Sequence, residues 1–411
     1  MNLSLNEVNE SHVLIVMGFI LLMVSILTPV SAASTDIKIP TSGSVMYPGF
    51  VVTDGHLIAT AASGSTDLKL YNTDGSFYKS VSVTNDQRQF DDLELFDGHL
   101  YFSLYDPAEP GYFRNETVYG YNLATGEKQL IYVTDGPQQR VTKIVADGDH
   151  VVMRGGVNDR KLILYTKSTG SVTTLFTSRD WIHGLAIDGN RIMWGCEVDK
   201  GAGREIHVYT ISTGTDYIIP ESKSENTYGY GDISGDNVVW AMRAKDPDYI
   251  NGVPVGGVSY DMRLTNLVSG RTQSVDRSDT APLTVPFISG DTIAYLKQPS
   301  VDYNNTDTGV IRTYNIRTGS FKEFGSKIAF ITDVKGDLLI WGRFSPMSFF
   351  ATTLNGTLPT VTPATPVQST TQIPGTVQQA ATTPGSPVDP VAIVSALATG
   401  VAGYAVMNRR R

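Results

Sequence analysis

A single cysteine, Cys196, stands in 411 residues, so neither an internal disulfide framework nor a cysteine-built metal centre is available. Charge is scarce as well, at 18% of the chain against roughly 25% for an average soluble domain. The balance is acidic, net −9 with a pI near 5.2, and no basic tract is present in the body, which argues against a nucleic-acid partner. No Gly-x-Ser-x-Gly elbow occurs, so the nucleophile of an α/β-hydrolase is missing. Helical periodicity is missing from the body too. What the chain has in plenty is 39 Gly, 20 Pro and 20 Tyr, the composition of turn-rich β structure.

One pattern recurs seven times: an apolar stretch, a turn around Gly, a second apolar stretch, a variable gap, then an aromatic strand that closes in Thr-Gly. The first turn appears at Asp54-Gly55, Asp97-Gly98, Asp147-Gly148, Asp188-Gly189, Ser234-Gly235, Ser289-Gly290 and Lys335-Gly336. The second appears at Tyr71-Asn72 with Asp74-Gly75, Tyr121-Asn122 with Thr125-Gly126, Tyr165 with Thr169-Gly170, Tyr209 with Thr213-Gly214, Asn266 with Ser269-Gly270, Tyr314-Asn315 with Thr318-Gly319, and Asn355-Gly356. A spacing of about 47 residues is the length of one four-stranded propeller blade, so the body is expected to be an all-β, seven-bladed β-propeller. Within one copy, alternation marks strands A to D: Leu185-Ala186-Ile187, Arg191 to Trp194, Glu205 to Tyr209 and Tyr217 to Ile219. The A–B and C–D turns keep their length, whereas the B–C and D–A connections vary, so the variable loops gather on one face.

The last copy cannot build its own strand D, because Pro359, Pro363 and Pro366 follow Asn355-Gly356 and proline has no N–H for a ladder. Residues 35–40, Thr-Asp-Ile-Lys-Ile-Pro, lie before the first copy and match the strand D sequence at 215–220 at Thr, Asp, Ile and Pro. They are expected to pair with 349–354 and close the ring.

These Gly-centred and Tyr-Asn-x-x-Thr-Gly turns, over residues 35–356, resemble TolB-like propellers and, closer still, repeat proteins of archaeal cell surfaces. The resemblance implies the fold and no particular activity. No Trp-Asp dipeptide closes a blade and no sialidase Asp-box appears, which disfavours a WD40 scaffold and a sialidase.

Both ends read as address labels. The 15-residue apolar run 13–27, followed by Pro29 and the small residues 30–33, has the form of a signal peptide (1–33), although Glu7 and Glu10 stand where a basic n-region belongs and Met17 is an alternative start. An uncleaved anchor is the competing reading, against which 15 residues fall short of the roughly 20 that span a bilayer. After the body (34–357) comes a Pro/Thr-rich stalk (358–389), then an anchor (390–411) in which the uncharged 391–407 precedes Arg409-Arg410-Arg411, a stop-transfer pattern. This ending resembles the sorting tails of archaeal surface proteins, with Ser386 where the best-known class has Phe. The expected location is extracellular, on a membrane-anchored chain. Asn115, Asn304 and Asn355 are Asn-X-Thr glycosylation sequons.

Candidate ligand-binding residues lie just before or at the start of strand A, around the channel mouth: Arg88, Gln89, Arg140, Trp181, His183, Tyr228 and Tyr230. Aromatic and planar polar groups about a concavity stack on a sugar or hold a peptide. The plainer reading has Trp181 and Tyr228 sealing adjacent blades, Cys196 buried as a small apolar residue, and His56, His99 and His150 as exposed turn filler. His183 needs a carboxylate to act as general acid or base, and Asp180 and Glu225 are the nearby choices. No cofactor is expected; calcium is considered at Asp302, Asn304, Asn305 and Asp307 and at Asp246, Asp248 and Asn251, neither set matching an EF-hand. The expectation is therefore a surface-tethered module, not an enzyme, whose variable-loop face takes a protein or glycan partner. The alternative is a carbohydrate-active lyase or hydrolase working at the channel mouth.

Overall fold

Every first turn of the repeat closes a hairpin between strands A and B, and Gly189 shows why the residue type suits it: its φ is +55°, a left-handed conformation that glycine adopts at no steric cost. The second turn has a different device. Asn122 Oδ1 accepts the N–H groups of Ala124 (2.8 Å) and Thr125 (3.0 Å), and Asn315 Oδ1 accepts that of Thr318 (2.9 Å), so the Asn side chain shapes the C–D turn.

The computed structural model describes residues 36–41 and 50–354, except 63–65, 84–87, 108–115, 137–138, 199–202, 225, 246–247, 251–252, 256–258, 279–282 and 299–306. Seven four-stranded antiparallel sheets follow one another in chain order. The chain is a seven-bladed β-propeller. The blades cover 51–82, 89–133, 140–177, 182–218, 227–278, 283–328 and 330–353, with Ile37–Ile39 added to the last. Strand A of each blade contacts strand A of the next, and the seventh contacts the first, so the A strands surround the axis. Apolar cores lie between blades: Val141, Ile144 and Met153 of blade 3 pack with Tyr101 and Val118 of blade 2, and Trp194 of blade 4 packs with Val152 and Leu162 of blade 3. Burying these faces stabilises the fold at about 25 cal/mol per Å² of apolar surface, and no blade buries both of its faces alone.

The closure expected from the prolines is present. Ile37–Ile39 pairs antiparallel with Met347–Thr353, setting Ile37 opposite Ala351 and Ile39 opposite Phe349. One departure is the long B–C connection of blade 5, which holds a second hairpin, Asp248–Ile250 with Val253–Val255, where a plain loop was expected. The predicted signal peptide, stalk and anchor lie outside the described residues, as do Asn115, Asn304 and Asn355. Among the described residues no helix is long and apolar enough to cross a membrane.

Candidate functional site at the channel mouth

The inner strand is bent at the same place in six blades. Register shifts fall at Phe90/Asp92, Val141/Lys143, His183/Leu185, Thr227/Gly231, Thr284/Phe287 and Ile331/Asp333. Bulges of this kind re-aim side chains, and here Asp91 and Thr142 are the extra residues. Arg140 donates from Nη2 to both oxygens of Asp91 (2.8 and 3.0 Å), and its Nε is 3.6 Å from Glu116 Oε1. Glu116 is fully buried, its Oε2 accepts the Val141 N–H at 2.6 Å, and burial and the nearby Asp91 push its carboxyl up to about 8. Thr142 donates to Asp159 at 2.6 Å while accepting from Arg154 Nε at 3.2 Å.

In blade 4, His183 Nε2 is 3.0 Å from Glu197 Oε1, and Arg204 Nη2 reaches the same oxygen at 3.1 Å. Arg204 also donates to the carbonyls of Thr227 and Tyr228, tying blade 4 to blade 5. Burial and the Arg204 charge hold the imidazole below its ordinary pKa despite Glu197, so at neutral pH it donates its Nε2 proton to Glu197 and stays uncharged.

The structure brings some of the predicted residues together. Arg140 joins Asp91 and Glu116, and His183 meets Tyr230 edge-on at 5.7 Å. Others serve their own blade: Arg88 donates to Thr117 (3.0 Å) and Tyr119 (3.2 Å), and Gln89 accepts from Tyr105 at 2.9 Å. Tyr228 stacks on Tyr260 at 6.0 Å and packs against the core shared by blades 5 and 6, as the sealing reading expects. Trp181 does not seal; it is 42% exposed, and its carbonyl accepts the Glu197 N–H. Cys196 is buried on strand B.

Glu197 and Arg204 are absent from the sequence reading: counting back from Asp188-Gly189 along the paired strands sets Glu197 level with Ile182, and the bulge between His183 and Leu185 moves it level with Trp181. Of the two carboxylates that the sequence offers His183, Glu225 lies outside the described residues, and the carboxylate that His183 meets is Glu197. Among the turn histidines, His56 is exposed, but His99 is half-buried, its Nδ1 donating to the Asp97 carbonyl (2.9 Å) and its Nε2 accepting from Asn122 (3.1 Å). Of the calcium residues, Asp302, Asn304, Asn305, Asp246 and Asn251 lie outside the described residues, and Asp248 opens the extra hairpin. Asp307 is committed elsewhere, accepting the N–H groups of Phe344 (2.9 Å) and Ser345 (3.0 Å). Among the described residues no group of three or more His, Cys, Asp or Glu is placed to hold a metal.

Below the mouth the channel wall uses carboxylates as staples between blades. Asp92 accepts the Ile144 N–H (2.5 Å), Asp232 that of Ile288 (2.9 Å) and Asp333 that of Thr53 (2.9 Å); the last two stand at matching places in blades 5 and 7, and Asp92 lies two residues further from its turn. Burial pushes Asp92 and Asp232 up to about 6 and Glu94 up to about 7. A second ring of staples runs through the A–B turns, where Asp147 accepts the Gly189 N–H, Asp188 that of Gly235, and Ser234 that of Gly290 (3.1 Å). The Asp-Gly pairs therefore do more than turn the chain; the Asp holds the following blade.

Solved structures of this architecture share little sequence with the chain. The tricorn protease is 15% identical over 79% of this chain with a TM-score of 0.57, and this chain spans about a third, 34%, of that one. An oligogalacturonate lyase in complex with manganese is 12% identical over 72% of this chain and 85% of its own, TM-score 0.49. TolB from Acinetobacter baumannii is 12% identical over 74% of this chain and 77% of its own, TM-score 0.40. No family model and no curated protein sequence matches the chain. At such identities the likeness shows a propeller fold and carries no activity with it.

Proposed function

We propose that the chain is an exported β-propeller, tethered to the membrane at the cell surface by its C-terminal segment, that binds a protein or glycan at the variable-loop mouth of its channel. The observation that carries the binding reading is the way the polar side chains of the mouth are held. Arg140 is bound to Asp91, Thr142 to Asp159, and Glu197 between His183 and Arg204, leaving a rigid polar rim beside the exposed ring of Trp181. Rigid polar groups beside an aromatic face suit recognition. Export and tethering are supported by the apolar runs 13–27 and 391–407 and the terminal arginines.

Trp181→Ala should abolish binding of the surface partner or extended oligosaccharide held at the mouth without lowering the Tm, whereas His56→Ala on the opposite face should change neither. Equal losses from the two would refute the choice of face. For the tether, truncation after Asp389 should move the protein from the membrane fraction to the medium, and retention in the membrane would contradict it. The carbohydrate-active alternative is favoured by one contact, His183 with Glu197. Product analysis on any bound oligosaccharide decides it: cleavage that His183→Asn removes would establish an enzyme.

A further inference from the structure

Blade 2 departs from its sisters at one point. The central residue of a row across strands B, C and D is Leu70, Leu164, Val208, Leu264, Thr313 or Ala351 in the other six blades, each facing an aliphatic residue of strand B. In blade 2 the row reads Tyr101, Gly120, Gln129. The middle side chain is missing and the strand B residue is the largest of the seven.

A cleft of about 190 Å³ opens there between blades 2 and 3, on the side of the Gly turns. Tyr101, Ile131 and Tyr165 form its floor, and Glu127, Gln129 and Lys167 stand at its rim. Tyr101 is 2% exposed, and its hydroxyl has no hydrogen-bond partner. The nearest acceptors are already committed. His99, stacked on the Tyr101 ring, has both ring nitrogens engaged, and Asn122 Oδ1 already accepts two N–H groups of its turn. An unpaired hydroxyl in such a place is costly in an empty site and becomes an asset when a ligand hydroxyl meets it.

We infer that this cleft is a binding site for a single neutral pyranose, one of whose hydroxyls pairs with Tyr101 Oη. The volume lies below the roughly 300 to 1,000 Å³ of sites for drug-sized ligands and admits one ring. Two tyrosine rings and Ile131 offer apolar surface to the C–H face of a sugar. At the rim Glu127 accepts, Lys167 donates and Gln129 does both, which matches hydroxyls that themselves do both. The opposite charges of Glu127 and Lys167 leave no net charge to draw an ion. This site is separate from the channel mouth, so its failure would leave that reading standing.

The test uses the full chain in thermal-shift and titration calorimetry measurements against free neutral hexoses and N-acetylhexosamines and their methyl glycosides. At least one sugar should bind and raise the Tm; binding of the glycoside as well as the free sugar marks a glycan end as the ligand, and binding of the free sugar alone marks a free monosaccharide. Tyr101→Phe should weaken binding about tenfold, the loss of one hydrogen bond, while the sugar-free Tm stays level or rises because an unpaired hydroxyl has gone. Gln129→Ala, at the exposed rim, should also weaken binding, whereas Trp181→Ala should not. No binding by any sugar of the panel, unchanged affinity in Tyr101→Phe, a fall in its sugar-free Tm, or loss of binding in Trp181→Ala would each overturn the inference.

Discussion

Replacing Ile39 by Ala tests whether the ring is locked by its N-terminal strand. Ile39 is fully buried, pairs with Phe349 and belongs to the core that joins blades 7, 1 and 2. The strand is held at three further points: Asp36 accepts from Thr352 at 2.6 Å, Tyr71 donates to the Pro40 carbonyl, and Ile37 packs on Gly75, where a Cβ would lie 2.6 Å from its Cγ2. Truncating a buried Ile to Ala costs about 2 to 5 kcal/mol, which for a domain of this size is a fall in Tm of about 3 to 7 °C. Deleting residues 34–40 adds the loss of the pairing and exposes strand C of blade 7 as an edge, so the fall should be roughly twice as large. Circular dichroism or calorimetry on the full chain reads the effect, with Lys38→Ala, exposed on the same strand, as the control. One transition, shifted as a whole, is the expected result, because opening the seventh blade removes support from both its neighbours. An unchanged main transition preceded by a small early one would mean that the strand frays by itself, and would sink the closure argument.

Acid should stabilise the propeller. Asp92 and Asp232 at about 6, Glu94 at about 7 and Glu116 at about 8 are all raised above ordinary carboxyl values by burial. The native state thus holds more protons than the unfolded chain between about pH 4 and pH 8, and stability falls as pH rises through that window. The Tm near pH 5 should therefore exceed that near pH 8, and Asp92→Asn, which keeps an acceptor for Ile144, should flatten part of the slope; a Tm that rises with pH over this range contradicts the burial of these groups. Asp333→Ala should cost about 1 to 3 kcal/mol in denaturant unfolding, since it strands the N–H of the buried Thr53, and Asp188→Ala, at an exposed turn, should cost about 1 kcal/mol or less. The reverse order would show that the turn ring and not the channel ring holds the blades.

Much of this was legible in the residues. Gly spacing and alternation marked seven hairpin pairs, the prolines after Gly356 announced a missing strand, and the four matches between 35–40 and 215–220 named its replacement. The extra hairpin of blade 5 was not, because Asp248–Ile250 and Val253–Val255 are too short to show a period. At the mouth, residue type and position along strand A pointed to Arg140 and His183, yet their partners came from elsewhere: Glu116 from strand C of the preceding blade, Glu197 from strand B of the same one.

The division follows from the range of the interactions. Within a blade the A–B and C–D hairpins close over a few residues, so their Gly turns mark where strands begin and end, and the sequence by itself determined the number of blades, their strands and how the ring closes, while the bulges of strand A shift its register where no turn announces it. Between blades the partners lie far apart in the chain, and their meeting depends on the twist of each sheet and the tilt of one blade on another. Only the tertiary structure decided that Asp92 would hold Ile144, that Asp147 and Asp188 would reach the next Gly turn, that Trp181 would be left exposed, and that a cleft lined by Gly120 would open against Tyr165 of the neighbouring blade.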